Sequence, residues 1–234
     1  MSQSPKLRKS FASTSDQEQA QELLERTRDP SRVLALTDGV FAIIMTLLVL
    51  EIQVPKLDPG ETLTYAFLHE LWPNIVVFVI SFVLTGLYWV GHRDMFNLVR
   101  GVERGLVWLN ILYMLPVALV PAAAALLGTY SRDAFAIRIY GLLLILIALM
   151  RLVLWYYIST RRHLLIEHVP PRTLWTGAFT QLALILVYFI AMLVADVAPR
   201  LSLGIYAGVP VLYFLGITIL RRLAPKGSLE RDFT

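Results

Sequence analysis

Apolar residues fall into six blocks along the chain, at about Val33 to Gln53, Trp72 to Val90, Leu106 to Leu127, Ile137 to Ile158, Leu174 to Val194 and Leu201 to Leu220. Each is close to the roughly 20 residues a helix needs to cross the hydrocarbon core of a bilayer. Short polar connections separate them, and no internal repeat is visible. The pattern predicts an all-α integral membrane protein with six transmembrane helices.

The first block is the least ordinary of the six. Asp29-Pro30 is a helix-start signal, and Gln53 and Pro55 end the run. Within or beside it lie Arg32, Thr37 and Asp38, and an ionisable group at membrane depth costs several kcal/mol unless it is paired or hydrated. At about 100° per residue, Arg32, Leu36, Gly39, Ile43, Thr46, Leu47 and Leu50 share one face, while Thr37, Phe41, Met45 and Asp38 lie on the other side. Asp38 therefore cannot pair with Arg32 and must be satisfied by other helices, so losing its charge is expected to harm assembly.

The remaining blocks supply partners. Ser81, Thr85, Tyr88 and His92 recur at spacings of four, three and four, a single polar stripe expected to face protein. Asn110 in the third block has the same need for a partner, and a network of Asp38, His92 and Asn110 across helices is the expectation. Pro116 and Pro121 each remove a backbone hydrogen bond and favour a bend. Arg151 lies toward the basic Arg161-Arg162 end of the fourth block, within reach of snorkelling. Trp155-Tyr156-Tyr157 reads as an interfacial belt, and the fifth and sixth blocks as apolar scaffold.

The first block, at Arg32-Val-Leu-Ala-Leu36-Thr37-Asp38 and on through GVFAIIMTLLVLEIQVP, resembles the first helix of the lysosomal potassium channel family known as transmembrane protein 175, in its six-helix bacterial form. That family's signature is Arg-x-x-x-Phe-Ser-Asp, and here Leu36 replaces the aromatic and Thr37 the serine. The resemblance continues in WPNIVVFVISFVLTGLYWVGH and LNILYMLPVALVPAAAALLGTY, covering about residues 30 to 130. It implies a homotetramer with the first helices around a shared axis, a network around Arg32, Thr37, Asp38, His92 and Asn110, and a pore lined by Ile43, Thr46, Leu47 and Leu50. Spacing alone reads those last four as packing positions. In a pore, Ile43 and Leu50 would form apolar rings that obstruct by dewetting, and Thr46 would offer oxygens to potassium in transit.

Charge adds orientation. Of the 21 Lys and Arg, sixteen lie in the tail and the second, fourth and final connections, against four in the others. This places both termini in the cytoplasm of a plasma-membrane protein, with a cytoplasmic tail over 1–28, the channel domain over 29–222 and a second tail over 223–234. Glu51, Asp58, Glu61, Glu70, Asp133 and Asp196 give the other side an acidic excess. The chain is 57% hydrophobic, with mean hydropathy +0.64 and pI near 9.4. Its basic residues are scattered over loops, which argues against nucleic acid as a partner. It has no cysteine, and its four histidines, at 69, 92, 163 and 168, lie near block ends, so no haem or thiolate metal site is expected.

No HExxH, GxSxG, P-loop or GxGxxG motif occurs, so the chain is expected to be no enzyme and to need no cofactor. No TVGYG filter occurs either, so selectivity in a leak-type channel would have to come from side chains. Two other readings stand beside the channel. One is a proton-coupled secondary transporter using Asp38 and His92, and the other is a non-conducting membrane scaffold.

Overall fold

The computed structural model describes residues 29–52, 57, 59–166 and 169–223, with side chains omitted at residues 70 and 216–223. The tail expected over 1–28, and all but the first residue of that expected over 223–234, lie outside the described residues, as do Asp58 and His168. Helix α1 spans Ser31–Leu50. Just ahead of it, the Asp29 carboxylate accepts from the Ser31 amide at 2.9 Å and the Ser31 hydroxyl at 2.7 Å, and these bonds hold its pKa below the ordinary value. A short helix α2, Leu63–Ala66, passes through a π turn at Phe67–Leu71 into α3, Trp72–Phe96. Then follow α4, Arg104–Ala118, α5, Val120–Thr129, α6, Ala134–Thr160, α7, Pro171–Val194, and α8, Pro199–Leu223.

Among the described residues, five helical runs are long and apolar enough to cross a membrane: Ser31–Leu50, Leu63–Phe96, Arg104–Thr129, Ala134–Thr160 and Pro171–Val194. The sixth block forms α8, whose described apolar part ends at Leu215. No strand occurs among these residues, only an antiparallel bridge between Val99 and Leu165.

Local chemistry explains the boundaries that differ from the apolar blocks. The second run starts at Leu63, where the Thr62 side chain caps it by accepting from the Tyr65 amide at 3.3 Å. Its π turn sits directly before Pro73, which lacks an N–H and crowds the carbonyl one turn back. The third run breaks at Leu119, between the two prolines, where the Leu119 amide bonds the Pro116 carbonyl at 3.2 Å and Pro121 sits in the first turn of α5. Asp133 caps α6 through the amides of Phe135 and Ala136, and Asp196 pairs with Arg138. These two members of the acidic set therefore hold structural partners.

Helix α1 packs on α3, α4 and α5, while α6 packs on α4, α7 and α8. The polar stripe on α3 ties the two groups. Ser81, Thr85, Tyr88 and His92 are all buried; Ser81 and Tyr140 of α6 share a 2.8 Å hydrogen bond, and the Tyr88 hydroxyl donates to that of Tyr188 on α7 at 2.8 Å. Tyr206 of α8 closes the cluster, its ring within 5.6 Å of Tyr140 and 6.1 Å of Tyr188 and its hydroxyl donating to the Ile137 carbonyl at 3.1 Å. The fifth and sixth blocks are thus less uniformly apolar inside than their hydropathy suggests, since buried Gln181, Tyr188, Ser202 and Tyr206 all point inward.

The loops at one end are also joined. The Arg100 amide donates to Leu164 at 2.7 Å and the Ile166 amide to Leu98 at 2.9 Å. Glu103 accepts from the Tyr157 hydroxyl and pairs with Arg161 at 2.6 Å, contacts that hold its pKa below the ordinary carboxylate value. Of the Trp155-Tyr156-Tyr157 run, only Tyr156 is exposed, because Trp155 donates to the Leu174 carbonyl at 2.8 Å and Tyr157 is engaged by Glu103.

Gly141 makes the tyrosine cluster possible. A Cβ there would lie 2.2 Å from the Tyr206 hydroxyl and 2.6 Å from Cγ of Met192. Gly141→Ala is expected to displace Tyr206 from Ile137 and cost about 1–3 kcal/mol, the usual range for overpacking. Thermal unfolding of the detergent-solubilised protein checks this, with Gly204→Ala, whose Cβ meets nothing within 4 Å, as the neutral control.

Candidate ion-conduction site

Each turn of α1 divides into an inner and an outer set. Val33, Thr37, Phe41, Ile44 and Leu48 are buried, at the three- and four-residue intervals of one helical face. Arg32, Leu36, Gly39, Ile43, Thr46, Leu47 and Leu50 are all exposed, with Ile43 at 60% and Leu50 at 72%. No described helix of the same chain covers them. An apolar surface of that length facing outward requires lipid or another copy of the chain.

Thr37 holds α1 in this rotation. Its hydroxyl donates to the Val33 carbonyl at 2.9 Å and accepts from Asn110 Nδ2 of α4 at 2.8 Å. The Asn110 Oδ1 in turn accepts from His92 Nε2 of α3 at 2.7 Å. Three helices thus meet in one chain of buried hydrogen bonds. The imidazole is stacked between Phe96 at 4.4 Å and Tyr113 at 5.4 Å, which fixes its plane.

This corrects the expected network of Asp38, His92 and Asn110. Thr37 takes the place of Asp38, because successive residues on a helix are about 100° apart and only one of the two can face the junction of α3 and α4. Asp38 is exposed at the helix edge and accepts from Trp89 Nε1 of α3 at 2.7 Å. The Arg93 guanidinium lies over that indole, 5.7 Å from its centre. Asp38 is therefore satisfied by another helix, but not by the residues expected, and an amide in its place would keep an acceptor for Trp89. That argues against the expected harm from losing its charge. Arg32 is exposed, with no hydrogen bond or ion pair among the described residues.

Trp89 was missed because it lies off the polar stripe of α3. Its one sequence signal is an indole N–H in an apolar run, which usually needs an acceptor when buried.

On the outer face, Thr46 donates its proton back to its own helix, with its oxygen 2.8 Å from the Ile43 carbonyl and 3.1 Å from that of Ala42. With the proton so held, the remaining lone pairs of the hydroxyl are available to an outside cation. Among the described residues no three His, Asp or Glu side chains gather into a metal site.

Residues 32–121, which contain α1, the stripe of α3 and Asn110, match the family model described as endosomal/lysosomal potassium channel TMEM175. A protein of Streptomyces collinus named a potassium channel is 39% identical over 140 residues, spanning 58% of this chain and 68% of that one. The chain belongs to the TMEM175 family. A Chamaesiphon minutus protein, also named a potassium channel, is 35% identical over 143 residues, covering 59% of this chain and 70% of its own. The crystal structure of a lysosomal potassium-selective channel TMEM175 homolog from Chamaesiphon minutus superposes with a TM-score of 0.69 at 29% identity, over 79% of this chain and 96% of that one. The family is one of ion channels, not enzymes, and the fold is that of a TMEM175 channel.

Asn110→Leu is expected to leave His92 Nε2 without a partner, at about 1–3 kcal/mol, while Thr37 keeps its bond to the Val33 carbonyl. Asp38→Asn should cost less than about 1 kcal/mol, since the amide oxygen can still accept from Trp89. Comparing unfolding midpoints and oligomer yield of the two variants with wild type checks the assignment of roles.

Proposed function

We propose that this chain is one subunit of a potassium-permeable, leak-type cation channel, in which four copies place α1 around a common axis. The observation that carries this reading is the outer face of α1. Its inner face is locked to α3 and α4 by buried hydrogen bonds, while Ile43, Thr46, Leu47 and Leu50 are left open toward whatever lies outside the subunit. The potassium-channel names of the bacterial relatives support potassium as the permeant ion.

In this arrangement Ile43 and Leu50 form apolar rings that narrow and dewet the path, and Thr46 lies one turn from both. The ring of Thr46 hydroxyls, each with its proton turned back to the helix, presents oxygens that replace part of the hydration shell of a potassium ion. No cofactor takes part. In this reading six helices, counting α8, span the cell membrane, a count taken from the apolar blocks, and both termini lie in the cytoplasm, the side that the distribution of Lys and Arg favours.

The transporter reading needs Asp38 and His92 to act together. They have separate partners, Trp89 and Asn110, which disfavours a shared proton. A scaffold would pass no ions at all.

The deciding measurement is a reversal potential under bi-ionic potassium and sodium, on purified protein in a planar bilayer. Thr46→Val keeps the shape and removes the hydroxyl, and it is expected to lower the potassium-to-sodium permeability ratio about fivefold for each ~1 kcal/mol of oxygen coordination lost. An unchanged ratio would move the filter elsewhere. Ile43→Asn and Leu50→Asn should each raise unitary current by easing wetting of the constriction. Currents unchanged in both, with normal assembly, would argue against the α1 pore.

A further inference from the structure

Away from α1, a cavity of about 640 Å³ opens between α3, α6, α7 and α8. That lies within the range of roughly 300–1,000 Å³ typical of ligand clefts. Its walls mix aliphatic side chains, including Leu84, Leu184 and Val209, with polar ones, among them Arg151, Gln181 and Asp94. Two of the polar ones, on α6 and α7, lack a matching polar partner among the described residues.

One is Arg151. Its guanidinium reaches across from α6 to α3 and occupies the space a side chain at Gly91 would fill, where a Cβ would lie 1.9 Å from Nη2. It makes no ion pair among the described residues. A cation set well inside a membrane-spanning helix is costly without a counter-charge. The other is Gln181 of α7, 4% exposed, whose Oε1 has no hydrogen-bond partner among the described residues. A buried acceptor left unpaired costs about 1–3 kcal/mol.

The two stand at the same level. The Trp155 ring lies against Gly177, which sets the register of the antiparallel α6 and α7, and four residues further along each helix come Arg151 and Gln181. Asp94, exposed, also borders the cavity.

A single molecule meets the apolar wall, Arg151 and Gln181 together if it carries an acyl chain, an anionic phosphate and a nearby hydrogen-bond donor. The chain fills the aliphatic wall. The phosphate meets the planar fork of Arg151, which suits it bidentately. The donor supplies Gln181 Oε1. We propose that this cavity binds an anionic, hydroxyl-bearing membrane phospholipid, with its phosphate on Arg151 and a headgroup hydroxyl on Gln181. The proposal goes beyond ion conduction and rests only on the chain being embedded in a membrane.

Native mass spectrometry of the assembled full-length protein tests it, after delipidation and titration with phosphatidylglycerol, phosphatidylcholine or oleate. Wild type is expected to retain phosphatidylglycerol at concentrations at least about tenfold below those needed for the other two, a ratio matching one charge-assisted contact. Arg151→Gln should abolish that preference. Gln181→Leu should weaken phosphatidylglycerol binding and yet unfold at a higher temperature than wild type when lipid is absent, because the stranded amide is gone. Should Arg151→Gln fail to fold, Leu184→Trp, which fills the cavity, should remove the binding instead. Oleate retained as tightly as phosphatidylglycerol, a preference that survives both Arg151→Gln and Leu184→Trp, or equal uptake of all three lipids by wild type would overturn the proposal. Binding is read without current, so its failure and that of the channel reading are separable.

Discussion

A polar group inside a membrane-spanning bundle finds little water to turn to, so it must be met by a group on a neighbouring helix, and this constraint sets the rotation of α1. The chain from Thr37 through Asn110 to His92 joins three helices, and turning α1 by even one residue would take the Thr37 hydroxyl away from Asn110 Nδ2 and strand that donor. Because Thr37 must face inward, Ile43, Thr46, Leu47 and Leu50 must face outward. The buried bonds thereby control the surface that never touches them. A helix held only by apolar contacts could rotate at small cost, since aliphatic side chains repack against lipid about as well as against each other.

Helix α3 carries this constraint into the rest of the bundle. His92 reaches toward α1 and α4, Tyr88 toward α7 and Ser81 toward α6, all from one stripe. The tyrosines of α6, α7 and α8 gather on the far side of that stripe and are closed by Tyr206 at Gly141. The subunit thus consists of a polar-pinned scaffold with one helix displayed at its edge. That division suits the proposed assembly around α1, because the scaffold would keep its register whatever the neighbouring copies did.

Relatedness along the chain follows the same division. The family model covers 32–121, where the polar network and the displayed helix lie, while the superposition with the Chamaesiphon structure extends over 79% of the chain. In α1 to α4 specific donors and acceptors must coincide at about 2.7–2.9 Å, and few substitutions do so.

Much of this was legible in the residue order. Apolar block length determined the helices, because every backbone polar group in hydrocarbon must be bonded within its own segment. Helical periodicity determined that Ser81, Thr85, Tyr88 and His92 share a face and that Ile43, Thr46, Leu47 and Leu50 share another, since both sets lie within single helices. Which neighbour meets which face was decided only by tertiary structure. Thr37 and Asp38 are adjacent and both polar, and the choice between them at Asn110 depends on how α1 is turned relative to α4, an angle set by packing across separate segments. The bond from Trp89 to Asp38, the break at Leu119, the closure of Tyr206 on Ile137, and the placing of Arg151 and Gln181 on one cavity all have the same origin. Periodicity places a side chain on its own helix, whereas a partner requires the depth and rotation of two helices at once, and those arise from the whole bundle's packing.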